Sequence, residues 1–99
     1  MQYEITYPEG LDEYDWAEIE AKGWLAVVLT WPGGRRTLSL YDPVRLSQTI
    51  EDEVRRLGYT VMSTLVVLPA VTRAEIERVV ARMAEEEFSG VRRYEILED

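Results

Sequence analysis

Ninety-nine residues of 11.5 kDa suffice for one domain, residues 1–99, and are too few for two separate cores. Hydrophobic residues at 46% and charged residues at 30% place the chain among globular proteins, and a net charge of −8 argues against nucleic acid or an anionic membrane surface as partner. Cysteine and histidine are absent, which removes thiol nucleophiles, histidine-based triads and Cys/His zinc sites.

The alternation over Gln2–Tyr7 predicts a half-buried strand with Tyr3, Ile5 and Tyr7 on one face, ended by Pro8-Glu9-Gly10. Residues Leu11–Gly23 (LDEYDWAEIEAKG) fit two patterns. As a helix they would start near Asp12, stop at Gly23 and turn Trp16 and Ile19 inward. As a strand they would continue the parity of the segment that follows. A short helix or irregular cover is the favoured reading.

Trp24–Trp31 is apolar on both alternations, Pro32-Gly33-Gly34 turns the chain, and Arg36–Tyr41 returns with Leu38 and Leu40 on one face. This is the pattern of a β-hairpin. Asp42 as N-cap and Pro43 at the first helical position open a helix with an apolar stripe of Leu46, Ile50, Val54 and Leu57. Glu51/Arg55 and Asp52/Arg56 stand four apart on its wet side, and Gly58 supplies a left-handed end.

Thr60–Leu68 holds the continuous run Leu65-Val66-Val67-Leu68, expected of a strand covered on both faces and stopped by Pro69. Thr72 with Glu75 makes a capping box, and Val71 with Ile76 a hydrophobic staple, at the start of a second helix carrying Ile76, Val79, Val80 and Met83, with Phe88 near its end. Tyr94–Leu97 reads as a last short strand. The predicted fold class is α+β: a mixed five-stranded sheet, β-β-β-α-β-α-β, with two helices packed on one face.

No run approaches the roughly 20 apolar residues that span a bilayer. The opening MQYEITYPEG lacks a basic and then apolar stretch, so no signal peptide is expected and the cytoplasm is the expected compartment. Ten arginines against the single Lys22, with no asparagine, point to a GC-rich coding genome more than to a thermophile, and the segment GGRRTLSLYDPVRLSQTIEDEV resembles small bacterial proteins.

Parallel third, fourth and fifth strands would gather Arg35-Arg36, Arg55-Arg56 and Arg92-Arg93 at one end of the sheet. Arg35, Arg36, Arg92 and Arg93 are therefore candidate contacts for a phosphate or carboxylate. Local charge balance with Glu51, Asp52 and Glu85-Glu86-Glu87 is the plainer account of the same residues. The opposite end lacks the glycines of a phosphate-cradling turn, so no nucleotide cofactor is expected.

Asp12, Glu13, Asp15, Glu18 and Glu20 crowd into nine residues, and the first 23 residues carry −6 of the total charge. The spacing fits no calcium loop, so no metal is expected. Interleaved with Tyr14 and Trp16, these carboxylates form a candidate contact surface for a basic protein: Asp12, Glu13, Tyr14, Asp15, Trp16 and Glu18. A solvated helix whose Trp16 and Ile19 cover the sheet is the plainer alternative.

Two helices on one face would leave the other side of Trp24–Trp31 bare beside Thr37, Ser39 and Tyr41, a patch that residues 11–23, a second copy or a partner must cover. No catalytic residues or cofactors are predicted. The expected function is a small non-catalytic protein-binding or regulatory module, immunity-, antitoxin- or inhibitor-like. The alternatives are a self-associating homodimer, or a small-ligand binder or enzyme using Arg, Tyr and carboxylates.

Overall fold

Alternation decides which side of each strand is buried, and the hairpin shows it first. In the computed structural model, which describes residues 2–62 and 64–91, β2 (Trp24–Trp31) and β3 (Gly34–Tyr41) pair antiparallel with Leu25 opposite Leu40 and Val27 opposite Leu38. Leu25, Val27, Leu29 and Trp31 are buried, as are Leu38 and Leu40, so every second side chain enters one core. The ring of Trp31 lies over Gly34, where a Cβ would collide with it.

β1 (Glu4–Thr6) adds antiparallel to β2 with Ile5 opposite Leu29. β4 (Leu65–Val67) adds parallel to β3 with Val66 opposite Leu40. The sheet order is β1-β2-β3-β4. The α+β class and the mixed sheet are as expected from the sequence, but among the described residues the sheet has four strands, not five. The expected strand at 94–97 lies outside the described residues.

Residues 11–23 resolve the ambiguous pattern as a helix, α1 (Glu13–Lys22). Its Asp12 and Asp15 form a reciprocal capping box, and Gly23 ends it at φ 72. Trp16 and Ile19 face the core, as the helical alternative required.

α3 (Arg73–Glu85) lies on this same side, with Ile76 and Val80 buried. Thr72 accepts the Glu75 N–H at 3.2 Å, and the staple residues Val71 and Ile76 are both fully buried. Beyond the helix, Glu87 and Phe88 adopt φ 54 and 57. That turn drives Phe88 into the core, 5.1 Å from the Trp31 ring and edge-on to Tyr3 at 5.7 Å.

The remaining helix, α2 (Pro43–Leu57), starts as expected, with Asp42 accepting the Arg45 N–H at 2.7 Å and Pro43 in the first turn. Its position departs from expectation. The helices do not share one face: α1 and α3 close the Leu38/Leu40 side, whereas Thr49 and Glu53 of α2 face Ser39, Tyr41 and Leu65 across a cleft on the other. A helix joining two parallel neighbours can cover only one face, and its hand is fixed. α3 leaves the edge strand under no such constraint and follows the larger apolar surface. The expected pairs Glu51/Arg55 and Asp52/Arg56 do not close; the helical ion pairs that do are Arg78–Glu75 at 2.7 Å and Arg73–Glu77 at 3.2 Å.

Candidate partner-binding surfaces

The acidic-aromatic segment divides its residues between two jobs. The Asp12 carboxylate accepts the Asp15 N–H at 2.9 Å, and Asp15 accepts the Asp12 N–H at 3.2 Å, so both carboxylates tie down the start of α1. The Asp15 N–H holds the Asp12 carboxyl below its ordinary 3.8. Trp16 packs edge-on to Tyr7 at 5.4 Å and joins the core margin. The Tyr7 phenol is pushed up, by burial first and then by the Glu77 charge, and Arg73 stands over its ring at 5.4 Å.

Outward-facing residues are fewer than the sequence offers. Tyr14 is 72% exposed, with Glu18 one turn further on and Glu13 beside it. Of the six candidate residues, Glu13, Tyr14 and Glu18 are thus brought together toward solvent, while Asp12, Asp15 and Trp16 are committed to the fold. Helix α1 carries four carboxylates against Lys22 alone.

Arg35 and Arg36 do not share a face of the sheet. Arg35 stands opposite Thr30 and Arg36 opposite Leu29, so strand alternation sends neighbouring guanidinium groups to opposite faces. Arg55 and Arg56 are exposed in the last turn of α2. Arg92 and Arg93 lie outside the described residues. A cleft of about 410 Å³ beside β4 is lined by Leu38, Val66, Met83, Phe88 and Val91 and, among the described residues, by neither arginine nor tyrosine. Among the described residues no group of three or more carboxylates is placed to hold a metal ion, and no helix is long and apolar enough to cross a membrane.

The second surface is apolar, and sequence reasoning located only half of it. The anticipated bare side of the sheet is there: Trp24 is 40% exposed, Ala26 and Val28 are half-buried, and Thr37, Ser39 and Tyr41 stand beside them. The other half is α2. Its stripe reads as core, yet no residue of the helix is buried, and Ile50, Val54 and Leu57 remain exposed. Tyr59, Val61 and Val67 extend the apolar surface along the following segment. The amphipathic pattern shows that a helix has a face to bury and does not show against what.

Comparison with protein-family models, with curated proteins and with solved structures finds no match to this chain.

Proposed function

We propose that this chain is a non-catalytic protein-binding module, of the regulatory or inhibitory kind that acts by occupying a partner. The observation that carries this reading is α2, a strongly amphipathic helix with no buried residue, standing beside an open sheet face. A monomer rarely leaves so large a contiguous apolar surface in water unless something docks there. The acidic face of α1 supports a basic macromolecular partner, with Tyr14 as an anchor and Glu13 and Glu18 steering approach. The absence of cysteine and histidine supports binding over catalysis.

Capture from a native lysate tests this with two variants that leave the α1 capping box intact. Val54→Asp with Leu57→Asp is expected to abolish docking on the apolar surface. Glu13→Ser, Tyr14→Ala and Glu18→Ser together are expected to remove basic partners selectively. A chain that retains every partner through both sets of changes, or engages no protein at all, itself included, overturns the proposal.

A further inference from the structure

We infer that the occupant of the α2 surface is a second copy of this chain, in a two-fold pair where each copy sets the apolar stripe of α2 against the open sheet face of the other. The inference rests on reading that surface as protein-binding and names its partner. Three observations support it.

The first is area. Trp24, Ile50, Val54, Leu57, Tyr59, Val61 and Val67 are between 36% and 81% exposed, which amounts to roughly 700 Å², close to the contribution of one partner to a standard interface.

The second is complementarity within one chain. The sheet presents Trp24, Ala26 and Val28 on a face that no helix of its own closes, and α2 presents Ile50, Val54 and Leu57 with no sheet beneath them. These are the two halves of one sheet–helix layer. An isologous pair brings each half against its complement twice over.

The third is charge. The chain carries −8, so self-association through an arbitrary face would be repulsive. α2 is neutral, with Glu51, Asp52 and Glu53 against Arg45, Arg55 and Arg56. α1, with four carboxylates against Lys22 alone, is packed against the opposite face of the sheet. Pairing through α2 therefore keeps the two acidic helices on the outside.

Light scattering after size exclusion, over a dilution series and at low and high salt, tests the pair on the full chain. The wild-type mass is expected at twice 11.5 kDa and unchanged by salt, because the contact is apolar. Val54→Asp with Leu57→Asp is expected to halve that mass with helix content retained, and Glu20→Gln, exposed on α1 on the far side, to leave it unchanged. A wild type that is monomeric throughout, or a double variant that stays dimeric, overturns the inference. A spin label at Val54→Cys, in a chain without cysteines of its own, reads the same contact should the double variant fail to fold. Dipolar coupling between copies is expected, and its absence overturns the pair. If the wild type is monomeric while lysate capture still depends on Val54 and Leu57, the second copy is wrong and the protein-binding reading stands; if neither holds, both fall.

Discussion

The two faces of the four-stranded sheet are built from the same strands and end in different surroundings. On one, Leu25, Val27, Leu29, Leu38 and Leu40 are sealed by α1, α3 and the turn that inserts Phe88. On the other, Trp24 is 40% exposed and Ala26 and Val28 are half-buried, while Ile50, Val54 and Leu57 of α2 stay in solvent. Strands apolar on both alternations therefore do not mark a sheet covered twice by its own chain. They mark a sheet that needs covering twice, and the second cover has to be supplied.

Substitutions separate the faces by size of effect. Phe88→Ala, on the closed face, removes a fully buried ring that touches Trp31 and Tyr3, and is expected to cost about 3–5 kcal/mol in chemical denaturation. A loss below about 1 kcal/mol would mean that the turn after α3 does not seal the core.

Gly23→Ala tests the joint between the faces. Gly23 sits at φ 72, and an added Cβ would run into the Asp42 carboxylate that caps α2. Left-handed strain alone is expected to cost about 1–2 kcal/mol, with a loss of helical circular dichroism as α1 loses its stop and α2 its cap. Val61→Ser, at an 81% exposed site on the open side, is expected to stay within about 0.5 kcal/mol of wild type when measured at dilutions where the chain is monomeric. A larger loss there would show that the open face is closed within a single copy.

The smallest effect is in pH. The capping box lowers the Asp12 carboxyl below 3.8, so its contribution to α1 is fully present above that value and is lost as pH falls through the lowered one. Helical signal followed on acidification is expected to decline there in the wild type and more weakly in Asp12→Ser, which caps without titrating. Identical acid profiles would remove the carboxylate from the account of α1.

Much of the candidate site was legible in short-range chemistry. The caps at Asp42 and Thr72, the hairpin over residues 24–41 and the bare side of Trp24–Val28 all follow from hydrogen-bonding needs and strand alternation within a few residues. The role of Asp12 and Asp15 as each other's caps was missed for a local reason: one carboxylate pattern serves both a helix start and a contact surface. The reading of Arg35 and Arg36 as one contact left out strand alternation, which turns the two neighbours to opposite faces.

What this sequence determined alone, outside residues 11–23, whose pattern fits both helix and strand, is which segments are helix, which are strand, and which side of each is apolar, because those depend on propensity, capping and period. Only the tertiary structure decided that α2 takes the opposite side of the sheet from α1 and α3. A stripe of Leu46, Ile50, Val54 and Leu57 states a demand for burial; the connection between two parallel strands determines where the helix stands, and here it stands with that demand unmet by its own chain.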